Sequence, residues 1–198
     1  MLHLHLRFRC AKTRYTMKKL FSFIWEIAKI VIVALIIVVP IRYLVFQPFF
    51  VKGQSMEPNF ENGDYLIVDE ISYRLRDPQR GEVVVFKYPN DVSQRYIKRI
   101  IGLPGETVAV ENGKVEIFNK EGDKVLNESE YLSSHVFTPG NVRVTLGENE
   151  YFVLGDNRPS SSDSRRWGTL PREDIIGRVF LRAFPLVSLA KIKIPIYD

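Results

Sequence analysis

The stretch Val51-Lys52-Gly53-Gln54-Ser55-Met56-Glu57-Pro58 divides this 198-residue chain into two kinds of sequence. Before it lies an apolar run from Phe21 to Ile41, interrupted only by Glu26 and Lys29. After it come short segments rich in Val, Ile, Tyr and Phe, punctuated by Gly, Pro and Asn. The first pattern predicts a membrane-spanning helix and the second predicts strands. The expected architecture is therefore mainly β, with coiled antiparallel sheets or a partly open barrel behind one N-terminal transmembrane helix. Ser55 stands near the point where the chain leaves the bilayer.

The uncharged run Ile30–Ile41 is twelve residues, short of the ~20 that a spanning helix needs. Extension back to Phe21 supplies the length. Glu26 and Lys29 are three apart, so they share a helix face and partly neutralise each other near the interface. Trp25 and Tyr43 suit the two interfacial belts. A buried core helix would show a polar face, and Ile30–Val39 shows none. A cleaved leader would end in small residues. The stretch Pro40-Ile41-Arg42-Tyr43-Leu44-Val45-Phe46 offers none, so the segment is expected to stay attached. The expected layout is a basic arm over residues 1–20, an anchor over 21–45 and a catalytic domain over 46–198.

The formal charge is +5, from 28 basic and 23 acidic residues. Six of the bases (Arg7, Arg9, Lys12, Arg14, Lys18 and Lys19) precede the apolar run, and no acid accompanies them. Without them 22 bases face 23 acids, a net of −1. The excess is thus a topology signal that keeps the N-terminus in the cytoplasm and places the rest outside; it is not a nucleic-acid-binding face. Met17-Lys18-Lys19-Leu20 reads as a second possible start, so residues 1–16 are expected to contribute nothing to the fold. The single cysteine, Cys10, allows no intrachain disulfide, and no Cys/His spacing fits zinc. Of the three histidines, His3 and His5 lie in the arm, and His135 sits in a Ser-Ser-His stretch that reads as a solvated loop. Neither metal nor cofactor is expected.

Strands are expected at Tyr65–Val68, Glu82–Phe86, Tyr96–Ile101, Tyr151–Leu154 and Ile175–Arg182. Asn112-Gly113, between Val108–Glu111 and Lys114–Ile117, predicts a two-residue hairpin. The polar stretch Asn119–Asn141 reads as loops.

Three stretches could carry chemistry. Ser55 lies between Gly53 and Pro58, which permit a fixed, closely approached loop, although a serine near a proline is also an ordinary turn residue. Lys98 stands between Tyr96-Ile97 and Ile100-Ile101. If buried there its ammonium is disfavoured, its pKa falls, and the neutral amine can take a serine proton. On an edge strand it would simply snorkel to solvent. The polar run Gly155-Asp156-Asn157-Arg158-Pro159-Ser160-Ser161-Ser162-Asp163-Ser164-Arg165 follows an apolar strand. Asp163 and Arg165 can pair there across a tight turn, and composition fits a surface loop equally well.

Taken together and in order, five stretches resemble the bacterial type I signal peptidases. They are Ser55-Met56-Glu57-Pro58, Gly63-Asp64-Tyr65, Arg80 to Phe86, Tyr96 to Glu106 (YIKRIIGLPGE) and Gly155 to Gly168. The short, single-anchor layout is similar to the Gram-positive members. The resemblance implies Ser55 as nucleophile, Lys98 as general base and Ser161 as the hydroxyl that orients the amine. It implies the ion pairs Asp163–Arg165 and Asp156–Arg99, and Met56 as lining of the substrate groove. Some members carry a serine two places before the nucleophile as a second oxyanion donor; Gly53 stands there in this chain. The implied substrates are signal-peptide-bearing preproteins. The implied surroundings are the lipid bilayer and the neighbourhood of the secretion translocase. Endoplasmic-reticulum-type relatives would carry histidine where this chain has Lys98.

Overall fold

The computed structural model describes residues 19–39, 46–133, 136–185, 190–192, 194–195 and 197. Residues 1–18 with His3, His5 and Cys10, residues 40–45 with Tyr43, and His135 lie outside the described residues. The chain divides into two units, Met1–Leu44 and Val45–Asp198.

In the first unit one helix, α1, runs Lys19–Val39. Its 21 residues extend about 31 Å at ~1.5 Å each, which matches a hydrocarbon core of ~30 Å. None of its apolar window is buried. Phe21, Ile30 and Ile36 all face outward, so α1 has no protein core to explain its composition.

The second unit is antiparallel β. Its larger sheet contains β1 (Phe46–Phe50), β2 (Tyr65–Asp69), β3 (Val83–Tyr88), β4 (Asp91–Gly102), β9 (Glu150–Leu154), β10 (Leu170–Pro171) and β11 (Ile175–Phe184). The order is β1-β2-β11-β3-β4-β9-β10, with β12 (Ala190–Lys191) also paired to β11. A smaller sheet holds β5 (Thr107–Glu111), β6 (Lys114–Asn119), β7 (Gly122–Val125) and β8 (Val142–Thr145), in the order β7-β6-β5-β8. Two short helices, α2 (Ser72–Leu75) and α3 (Ser164–Trp167), decorate the strands. Among the described residues neither sheet closes on itself, so the mainly β, partly open expectation is met.

The apolar runs are continuous because strands of the larger sheet are covered on both faces. On β3, Val83 and Val85 enter one core with Met56, Phe60 and Leu66, while Val84 and Phe86 enter another with Tyr151 and Val153. On β9, Phe152 and Leu154 join a third core with Val108 and Ile117 of the smaller sheet. Asn112 (φ 52°) and Gly113 (φ 79°) make the expected tight hairpin between β5 and β6.

Three sequence expectations need correction. The strand expected to begin at Tyr96 begins at Asp91, because residues 91–95 extend the β3–β4 hairpin beyond the core as an exposed ribbon. The strand expected from Glu82 begins at Val83; buried Glu82 instead accepts hydrogen bonds from Tyr73, Arg76 and Gln79. Within the polar stretch 119–141, Gly122–Val125 forms β7 against β6, where backbone pairing needs no apolar face.

Candidate active site

Two segments converge on one groove. The loop between β1 and β2 is closed at its neck by Val51 N donating to Asp64 O (2.9 Å) and Gly63 N donating to Val51 O (2.9 Å). Inside it, Gly53 holds φ at +90° and donates to Asn62 Oδ1 at 2.9 Å. That conformation suits glycine. Beneath the loop, Met56 and Phe60 are fully buried in the core. Met56 was expected to line the substrate groove. It is instead a plug under the loop, absent from the residues that line the groove. Asn157 fastens the loop from the other side: its backbone N–H donates to Ser55 O (3.0 Å) and its side-chain amide donates to Gln54 O (3.0 Å).

Strand β4 supplies Lys98, 3% exposed. Its Nζ lies 2.7 Å from Ser55 Oγ and 2.8 Å from Ile97 O. Burial pushes the Lys98 pKa down from 10.5 to about 8, against the upward pull of Asp163 and Asp156. The snorkelling alternative is therefore excluded: the amine points at the serine. Tyr96 covers it at 5.4 Å from ring centroid to Nζ.

Both expected ion pairs form. Arg99 reaches Asp156 with Nε at 2.9 Å and a terminal nitrogen at 2.6 Å, and also donates to Gly81 O at 2.9 Å. Arg165 grips Asp163 through Nε at 2.8 Å and a terminal nitrogen at 2.7 Å. Asp163 also accepts from Gly155 N (3.0 Å) and serves as N-cap of α3. Burial alone would raise the Asp163 pKa, but Arg165 and the Gly155 N–H hold it below the ordinary carboxylate value. Ser161 is buried beside this pair, and Asp163 feels its hydroxyl, yet Ser161 Oγ completes no hydrogen bond of good geometry. The expected contact from Ser161 to Lys98 is thus not made; the Ile97 carbonyl holds the amine instead.

Sequence reasoning assigned no role to several supporting residues. Asn59 donates to Asp156 Oδ2 (2.9 Å) and Tyr131 O (2.8 Å), and the Arg99 guanidinium stacks 4.1 Å from the Tyr131 ring centroid. Arg158 is fully buried, with two donors on Glu128 (2.8 and 2.6 Å), one on Thr138 (2.7 Å) and one on Gly155 O (3.0 Å). Of these only Arg158 carried a signal, its position inside the Gly155–Arg165 run. Gly155 is the tightest point: a Cβ there would lie 2.2 Å from Ser161 Oγ and 2.4 Å from Ser55 O.

The groove encloses about 660 Å³, walled by Phe49, Val51, Leu66, Val85 and Ile97, with Ser55 and Lys98 in its lining. No backbone donor bond from Ser55 N is made among the described residues, so it is free to meet an oxyanion. Among the described residues no cluster of His, Cys, Asp and Glu could hold a metal ion.

An apolar cleft presenting a serine hydroxyl to a desolvated amine defines a hydrolase-type site. The model of the signal peptidase family, peptidase S26, matches residues 24–184, and the chain belongs to that family. It is 41% identical over 167 residues to the probable signal peptidase I-2 of Synechocystis, covering 81% of this chain and 73% of that protein. It is 34% identical to signal peptidase I P of Bacillus subtilis subsp. natto, covering 80% of this chain and 88% of that one. A crystal structure of a signal peptidase I from Enterococcus faecalis V583 is 33% identical, with a TM-score of 0.43 over 52% of this chain and 97% of that chain.

Proposed function

We propose that this protein is a membrane-anchored endopeptidase that removes N-terminal signal peptides from exported preproteins, with Ser55 as nucleophile and Lys98 as general base. The observation that carries the reading is the 2.7 Å contact between Lys98 Nζ and Ser55 Oγ in a buried setting. Lys98 in its neutral form takes the serine proton as Oγ attacks the scissile carbonyl. The Ser55 N–H stabilises the oxyanion, which collapses to an acyl-enzyme as the Lys98 ammonium protonates the leaving amine. Water, activated by the same amine, then releases the acyl group and regenerates Ser55. Arg99–Asp156 ties β4 to the Gly155–Arg165 run, Arg165–Asp163 fixes that run, and Asn157 fastens it to the loop that carries Ser55. The groove favours small side chains, such as Ala, at the first and third positions before the cut, because larger ones meet its apolar walls.

In this reading α1 spans the bilayer, the arm stays in the cytoplasm and the β domain works outside. Phe50, Tyr65 and Phe184 are register partners across β1, β2 and β11, and Phe50 and Phe184 are more than half exposed. This aromatic row dips into the outer leaflet and sets enzyme and substrate at one depth near the translocase, where the search is two-dimensional. The decisive experiment is cleavage of a preprotein in detergent by wild type, Ser55→Ala and Lys98→Ala. Both variants should be inert, and retained cleavage by Lys98→Ala removes the proposed base.

A further inference from the structure

The groove has an unbalanced charge. Its lining includes three basic side chains, Lys52, Arg95 and Lys98, and no acidic one. Lys98 is accounted for by the dyad; the other two are not. Eight arginines of the domain stand within ion-pair distance of Asp or Glu: Arg76, Arg80, Arg99, Arg158, Arg165, Arg172, Arg178 and Arg182. Among the described residues Arg95 instead donates only to the carbonyls of Val92 (2.6 Å) and Gln94 (3.4 Å). Lys52 is exposed and makes no hydrogen bond or ion pair among the described residues. Asp91, on the same hairpin as Arg95, is turned to Ser93 (2.6 Å) and Gln94 (2.7 Å).

Position gives these cations a target. Lys52 precedes Ser55 by three residues, and Arg95 precedes Lys98 by three. Three residues span at most about 11 Å, so the Cα atoms of Lys52 and Arg95 lie within that distance of those of Ser55 and Lys98, and all four residues line the one groove. An extended peptide crossing the dyad therefore passes both with the residues nearest its scissile bond.

Resting on the reading of this groove as the preprotein site, we propose that Lys52 and Arg95 make the enzyme selective for preproteins carrying Asp or Glu within about three residues of the cleaved bond. A carboxylate there meets two cations with no acidic partner among the described residues, and a substrate lysine meets two like charges. Exposed pairs are individually weak, so each contributes about a 1.7- to 3-fold change, and the two multiply to about three- to tenfold between acidic and basic substrates.

The test uses the full chain in neutral detergent and peptides that differ only by Glu, Gln or Lys at one site within three residues of the cut. Wild-type cleavage of the Gln peptide, abolished in Ser55→Ala, tests the underlying reading separately. The inference is read only from the Glu-to-Lys ratio of kcat/KM within each enzyme. Expected is a ratio of about three to ten at one or more positions, carried mainly by KM. That ratio should shrink at 1 M salt, where the screening length falls to ~3 Å, and invert in K52E/R95E. Equal rates for Glu and Lys peptides in wild type overturn it. So does an unchanged ratio in K52E/R95E with the fold intact by thermal melt. A loss of phosphatidylglycerol-vesicle binding in K52E/R95E, with the peptide ratio unchanged, also overturns it and assigns the cations to lipid.

Discussion

Deprotonating Lys98 should raise activity and stability together as pH increases, over different windows. Burial is the chief reason the amine is pushed from 10.5 down to about 8. At ~1.36 kcal/mol per unit this is about 3 kcal/mol of differential cost between charged and neutral forms. If kcat/KM follows the neutral fraction, it rises about tenfold from pH 7 to 9 and levels above pH 9. Stability follows proton uptake. Between about pH 8 and 10.5 the unfolded lysine holds a proton that the folded one lacks, so stability from this group increases with pH across that window. Below pH 8 both states are protonated and the full cost of burying the charge is present. Lys98→Met removes the titration. Measured by urea unfolding in detergent, the stability gap between Lys98→Met and wild type should be widest and flat below about pH 8, favouring Met by at most about 3 kcal/mol. It should then close by ~1.36 kcal/mol per pH unit up to about 10.5. Lost hydrogen bonds to Ser55 and Ile97 reduce the absolute gap but not its slope. An acidic limb near 10, or a gap constant from pH 7 to 10.5, refutes the argument.

Three further outcomes follow from the supporting residues. Gly155→Ala places a methyl 2.4 Å from Ser55 O, so the loop must shift; a displacement near 1 Å lowers kcat about 10²-fold with KM less affected, as steady-state kinetics will show. Asp156→Ala strands the buried Arg99 guanidinium, and unfolding measurements should register a loss of about 3–5 kcal/mol. Asp163→Asn removes a carboxylate that raises the Lys98 pKa, so its acidic limb should move below that of wild type even as kcat falls; a limb moving upward contradicts the assigned sign.

The strands that pack on both faces were legible because continuous Val, Ile and Phe runs bounded by Gly, Pro and Asn admit few other readings. β3 and β9 were placed within about one residue at their starts. β7, with the sequence GDKV, and β8, with VRVT, were not placed, because their pairing is satisfied by backbone alone and half or more of their side chains face solvent. At the site, position 98 was conspicuous as a charge inside an apolar strand. Met56 looked like groove lining from its place beside Ser55, but side chains on successive residues of the loop diverge, and Met56 turns into the core. Asn59, Tyr131 and Glu128 were invisible because their roles depend on contacts across 30 to 97 positions of sequence.

The chemistry of the buried cluster depends on its charge balance. Asp156 and Asp163 both act to raise the Lys98 pKa, though less than burial lowers it, and as bare carboxylates each would pull more strongly. Each is instead tied by two hydrogen bonds to an arginine, Arg99 or Arg165. A guanidinium is a fixed positive charge. Each pair is therefore net neutral, and the lysine feels two dipoles rather than two anions. Desolvation then dominates, which is the order of effects found for Lys98. On this argument the arginines do more than stiffen the loop. Replacing either with an uncharged residue should raise the lysine pKa by exposing it to a bare carboxylate, the opposite direction to Asp163→Asn. A common downward shift in both sets of variants would mean that burial of the amine had changed instead.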